Sequence, residues 1–268
     1  MKTTRVLASL SLATSLVAQA RAGVLLQDDF AGPDGPVDAS KWTAYATFGT
    51  APVQSGGQAV LDQRGTLVTN AGFNPTMPGG LMVAASFTIT PYTAEQLQML
   101  PPDWPYPDPG DIAMITTRAN PSGTGPAMTP RDGVFAAFWE HENLLQLFQQ
   151  VNGVEQNKLE IYFDSDDASG NANDLNGITA GSTVRLSFWD DGTNVSATVI
   201  HLSGPGSGSG SGSSTFSVNT GFDRVSLFNR ENATTYLDDV VISTPAPEPA
   251  SAVLLLSGGA HFAMRRRR

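Results

Sequence analysis

The chain has 268 residues, no cysteine, 15 Lys and Arg against 25 Asp and Glu, and a formal charge of −10 at pH 7. Without cysteine, disulfides, thiol catalysis and cysteine-ligated zinc or iron–sulfur clusters are excluded. Seven of the basic residues sit at the two ends (Lys2, Arg5, Arg21 and Arg265 to Arg268), so the body, with eight basic and 24 acidic residues, carries a formal charge of about −16 and repels nucleic acid phosphates.

In chain order, "MKTTRVLASLSLATSLVAQARAG" comes first. Lys2 and Arg5 precede an apolar stretch from Val6 to Val17, followed by small residues. That is the layout of a cleavable secretory signal helix, and residues 1–22 are assigned to it, with a cut after Ala20 or Ala22. Residues 23–244 form the body and 245–268 the tail. About 220 residues suffice for one sandwich-type domain with a substantial core.

The body reads as short strands bounded by Gly, Asn, Asp or Pro. "QAVLDQRGTLVTN", "GLMVAASFTIT", "DIAMITTR", "GVFAAFW", "LLQLFQQV", "KLEIYF", "TVRLSFW", "VSATVIHL", "TFSVNT", "RVSLFN" and "YLDDVVIS" are rich in β-branched or aromatic residues. In "TVRLSFW", Val184, Leu186 and Phe188 share one face while Arg185 and Ser187 take the other. "DDGTN" supplies the Asp-Gly pair of a tight hairpin. The fold class expected is all-β, an antiparallel two-sheet jelly-roll sandwich.

Between these strands lie segments that bear on function. Thr93 to Leu100 reads as a helix capped by Thr93, with Gln96 three residues on. It runs into "PPDWPYPDPG", where five prolines in ten residues forbid regular structure. Trp104 and Tyr106 are held there in a stiff segment, with Asp103 beside them to bond sugar hydroxyls, and these three are the candidate ligand-binding residues. Trp42, Trp139 and Trp189 read as core. In "FWEHENLL", Glu140 and Glu142 stand two apart and would share a strand face, the arrangement of a glycosidase carboxylate pair, although the turn composition points to a solvated connection. "SGPGSGSGSGSS", Ser203 to Ser214, reads as an extended hairpin loop.

The tail runs Pro247-Glu248-Pro249, then a mostly apolar segment from Ala250 to Met264, then Arg265, Arg266, Arg267 and Arg268. The apolar segment is shorter than the roughly 20 residues of a permanent span, and its basic end stays cytoplasmic under the positive-inside rule. It reads as a short transmembrane helix, and the sorting role assigned to it follows from the resemblance below.

This tripartite tail resembles the PEP-CTERM sorting signal of Gram-negative bacteria. The resemblance implies an exosortase-type processing enzyme as partner, membrane contact before processing, and delivery to the cell surface or its extracellular polysaccharide.

The body, through "DDF" at Asp28, "ASKWTAY", "GGQAVLD", the strands around Phe138 and Leu147, "TVRLSFWDDGTNVSATV" and "TYLDDVVIS", resembles the concanavalin A-like (laminin-G-like) jelly roll. It implies two curved antiparallel sheets with the first and last strands as neighbours, in a family of lectins, carbohydrate-binding modules, adhesion domains and family-sixteen glycoside hydrolases. If those strands adjoin, Asp28 or Asp29 and Asp238 or Asp239 supply hard oxygen ligands, and calcium is the possible cofactor. The Glu-x-Asp-x-x-Glu pattern of the family-sixteen hydrolases is absent from this sequence. The expected function is therefore an exported, non-enzymatic protein that binds carbohydrate or takes a structural role in the extracellular matrix, with a divergent glycosidase or polysaccharide lyase as the alternative.

Overall fold

The structure, a computed structural model, describes residues 23–245 apart from 47–48, 63, 92, 94–111, 121–129, 141–142, 164–174, 176, 217–220 and 230–233. The expected signal segment and, from residue 246 on, the expected sorting segment therefore lie outside the described residues, as do nearly all of the expected helix and Asp103, Trp104, Tyr106 and Glu142.

Among the described residues every regular element is a strand. In chain order these are β1 (Gly23–Asp28), β2 (Gly35–Pro36), β3 (Trp42–Tyr45), β4 (Val53–Ser55), β5 (Gln58–Asp62), β6 (Thr66–Thr69), β7 (Leu81–Ile89) and β8 (Ile112–Ala119). They continue with β9 (Gly133–Trp139), β10 (Leu144–Val151), β11 (Val154–Tyr162), β12 (Thr183–Asp190), β13 (Asn194–Ser203), β14 (Ser209–Thr215), β15 (Arg224–Asn229) and β16 (Thr234–Thr244). Nine form one antiparallel sheet in the order β14-β13-β12-β7-β16-β5-β4-β2, with β1 also on β16. The other seven run β11-β10-β9-β8-β15-β6-β3. The architecture is a two-sheet sandwich consistent with a jelly roll, and the first and last strands pair, with Asp28 opposite Val240.

Alternation places the core. On β12, Val184, Leu186 and Phe188 are buried while the residues between them are half-buried. They belong to one buried core with Ala136 and Phe138 of β9, Leu145 and Leu147 of β10, and Trp42 from the other end of that sheet. Each fully buried large apolar side chain contributes roughly 1.5–3 kcal/mol. "QAVLDQRGTLVTN" does not stay in one sheet: β5 belongs to the large one and β6 to the smaller. The crossing is tight at Gly65, where a Cβ would approach the Leu61 Cα to 3.1 Å.

The seven-stranded sheet is apolar on its second face as well. Phe135 and Ala137 of β9 join Met114, Phe148 and Phe228 in a separate buried cluster, with Trp139 packed against it. The Phe135 and Phe148 rings stack with centroids 4.6 Å apart and 4° between planes, and Phe228 meets Phe135 edge-on at 6.4 Å. Such pairs add about 0.5–1.5 kcal/mol beyond their burial.

The Gly-Ser run departs from expectation. Only the connection before Ser209 is a loop; Ser209–Thr215 is the edge strand β14, paired with β13 from Ser209 opposite Ile200 to Thr215 opposite Asn194. The glycines are there for space. A Cβ on Gly210 would fall 2.2 Å from the Phe163 ring, and one on Gly212 would fall 1.8 Å from Ile161 Cδ1.

Candidate functional site

Trp139 ends β9 on the face opposite Phe138, so it does not enter the main core. Strand register then lines up two rows across the outer face of this sheet: Trp139, Leu144 and Tyr162, and beside them Ala137, Gln146 and Glu160. β11 is the edge strand and carries Lys158, Glu160 and Tyr162 at alternate positions, opposite to Leu159 and Ile161, which turn toward the core.

These side chains form one hydrogen-bonded array. Trp139 Nε1 donates to Gln146 Oε1 at 2.8 Å, and Gln146 Nε2 donates to Glu160 Oε1 at 3.1 Å. Lys158 Nζ lies 2.6 Å from the same Glu160 oxygen, and Tyr162 Oη donates to Glu160 Oε2 at 3.3 Å. The hydrogen-bonded Lys158 ammonium holds the Glu160 carboxyl below its ordinary range, with Tyr162 and Gln146 acting the same way against slight desolvation. The tyrosine is 60% exposed. An exposed tyrosine thus stands beside an ionised carboxylate, an amide and an ammonium, the combination of apolar surface and hydrogen-bonding partners that a sugar ring requires.

Of the expected glycosidase pair only Glu140 is described. Glu140 follows β9, is only 3% exposed and is not a solvated turn residue; Glu142 lies outside the described residues. The candidate ligand-binding set Asp103, Trp104 and Tyr106 also lies outside them.

The four aspartates expected at the junction of the first and last strands take two roles. Asp28 is buried, and protein donors occupy its carboxylate: Trp42 Nε1 at 2.7 Å, the Phe30 amide at 3.2 Å and Lys41 Nζ at 3.2 Å. It belongs to the fold. Asp29 accepts from the Ala31 amide and Asp238 from the Asp239 amide. Among the described residues no three His, Asp or Glu side chains are grouped to hold a metal ion.

What remains there is repulsion. Partial burial pushes the Asp238 carboxyl up, and the charges of Asp239 and Asp29 add to it against the Asp239 amide. The folded protein holds this proton to higher pH than the unfolded chain, so stability contributed by Asp238 is lost as pH rises above the ordinary aspartate value of 3.8. Asp238→Asn is expected to melt above the parent at neutral pH and with it below pH 3.8, in paired thermal scans. A variant melting below the parent at neutral pH would show that the repulsion is not what Asp238 contributes.

No family model matches the sequence, and no curated protein matches it. Among solved structures, an endo-1,3-beta-glucanase from Streptomyces sioyaensis matches 85% of this chain and 98% of its own at 11% identity and a TM-score of 0.49. The winged bean acidic lectin, solved with methyl-alpha-D-galactose, covers 80% of this chain and 96% of its own at 10% identity and 0.46. The carbohydrate binding module CBM66 from Bacillus subtilis covers 76% and 92% at 13% identity and 0.40. At that level of likeness, the ligands and activities of these proteins do not transfer to this chain.

Proposed function

We propose that the protein is an exported, non-enzymatic carbohydrate-binding protein of the cell surface or its matrix, and that polysaccharide lies across β9, β10 and β11. The observation that carries this is Tyr162, an exposed ring fixed beside Gln146, Glu160 and Lys158 on a regular sheet. Rigid strands hold such a constellation more precisely than loops do, which lowers the entropy lost on binding. Hydrolysis needs a second carboxyl, one that keeps its proton. On this face the Lys158 ammonium holds Glu160 ionised, which suits a hydrogen-bond acceptor and not an acid.

Affinity electrophoresis against a panel of bacterial exopolysaccharides, with reducing-end release followed in the same samples, tests the reading. The parent is expected to be retarded by at least one polymer without releasing ends. Tyr162→Ala is expected to weaken that binding about tenfold, or roughly 1.4 kcal/mol. Unchanged retardation would remove the face from the site, and end release would make the protein a hydrolase.

Export and sorting rest on the two termini. Expressed beside an exosortase, the chain is expected to lose its tail near Pro247-Glu248-Pro249, which intact mass reads directly. A surface protein recovered with its four terminal arginines would overturn that processing.

A further inference from the structure

One end of the sandwich holds a cavity of about 370 Å³. Asn74, Pro75 and Thr76 from the loop after β6, Arg118 from β8, Gly192 from the β12–β13 turn, and Gly221 and Phe222 ahead of β15 line it. The volume is near the lower limit of the roughly 300–1,000 Å³ usual for small-molecule sites, so it suits one or two sugar rings and not a polymer.

Arg118 is the unusual member. Thr116 pairs with Ser226 and Ala119 with Arg224, so Thr117 and Arg118 together oppose Val225 in a bulge. Arg118 takes φ +53°, a backbone conformation that long side chains rarely adopt. Bulges of this kind re-aim a side chain, and strain of this kind persists where the surroundings enforce it, often at a binding site.

Asp190 does the enforcing. Fully buried, it accepts from Arg118 Nε at 3.0 Å, from Arg118 Nη2, from Thr117 Oγ1 at 2.6 Å and from the Gly192 amide at 2.8 Å. The carboxylate thereby fixes the plane of the guanidinium in the cavity wall and cancels its charge. Against its desolvation, Asp191, next along the chain, takes hydrogen bonds from Asn194 and Thr193 that lower its carboxyl.

The remaining walls supply neutral partners. Asn74 Oδ1 accepts from the Thr76 amide at 2.9 Å and from Thr76 Oγ1 at 2.8 Å. This turns the Asn74 amide nitrogen and the lone pairs of the Thr76 hydroxyl to other partners. Pro75 and Phe222 provide apolar surface. Donors and acceptors without net positive charge, beside an aromatic ring, match a neutral pyranose and disfavour an anion.

We propose that this cavity is a second carbohydrate site, independent of the β9–β11 face, which takes the terminal ring of a neutral glycan end-on. Calorimetric titration of the full chain with glucose, galactose, mannose and N-acetylglucosamine tests it, with glucuronate as the anionic counterpart. At least one neutral sugar is expected to bind saturably and raise the melting temperature, with glucuronate at least tenfold weaker. Arg118→Lys keeps the charge and loses the fork. Gly221→Asn keeps the left-handed backbone, which asparagine tolerates, and intrudes where a Cβ meets nothing within 4 Å. Each is expected to weaken the free sugar at least tenfold, whereas Tyr162→Ala lowers polymer affinity and leaves the free-sugar affinity within twofold. Should Arg118→Lys fail to fold, Gly221→Asn alone decides. No saturable neutral sugar, tighter binding of glucuronate, or full affinity in Gly221→Asn would each overturn the proposal. A sugar whose binding falls with Tyr162→Ala instead would place it on the sheet face.

Discussion

Asp190→Ala is expected to cost about 3–5 kcal/mol of folding stability, the range for removing one partner of a buried ion pair. The carboxylate is 0% exposed and takes four donors from three residues, and Arg118 is 5% exposed. Its loss strands a guanidinium edge and the Thr117 hydroxyl away from solvent, and a stranded buried group forfeits its full desolvation energy. Removing both charges is different. Asp190→Ala with Arg118→Ala is expected to be less destabilised than the sum of the two single changes, so the double-mutant cycle reports positive coupling. The exposed pair Lys158–Glu155, 3.7 Å apart, is the contrast, since surface pairs contribute about 0–1 kcal/mol. Urea midpoints at constant m-value read all of these. Asp190→Ala within 1 kcal/mol of the parent would mean that water reaches this pair.

The same cluster marks the limit of what the sequence discloses. "GVFAAFW", "LLQLFQQV" and "RVSLFN" coincide with β9, β10 and β15 because short apolar runs between Gly, Asn and Asp are a local signal. The pairing of the first and last strands followed from the resemblance of pattern. Arg118 and Asp190, by contrast, are 72 positions apart and meet only through a bulge on β8 and the end of β12. Neither looks unusual in its own segment. The sheet face was half legible: Lys158, Glu160 and Tyr162 alternate on one strand, but joining them to Gln146 and Trp139 takes the register of two hairpins. Trp139 shows why periodicity alone misleads. In "GVFAAFW" both alternating sets are apolar, so nothing local says which faces the main core and which the outer cluster.

Gly210→Val is the complementary case, where composition suggested tolerance and packing forbids it. A flexible Gly-Ser loop accepts valine freely, and an exposed strand gains from its β-propensity. Here the added Cβ would sit 2.2 Å and 2.4 Å from two carbons of the Phe163 ring, and that ring is 2% exposed in the main core. It cannot withdraw without moving its neighbours, so either the ring leaves its rotamer or β14 peels from the pairing that runs along β13. Overpacking of this kind costs typically 1–3 kcal/mol. Gly212→Val is expected to lose less, because its nearest contact, Ile161 Cδ1 at 1.8 Å, is the free end of a half-buried side chain that can rotate away. Ser213, next along the exposed face, is the control, so Ser213→Val is expected to be neutral or slightly stabilising. The diagnostic is the order of the three melting temperatures, lowest for Gly210→Val and highest for Ser213→Val. A linker would give three equal values, and a strand whose glycines served only chain freedom would penalise both glycines alike.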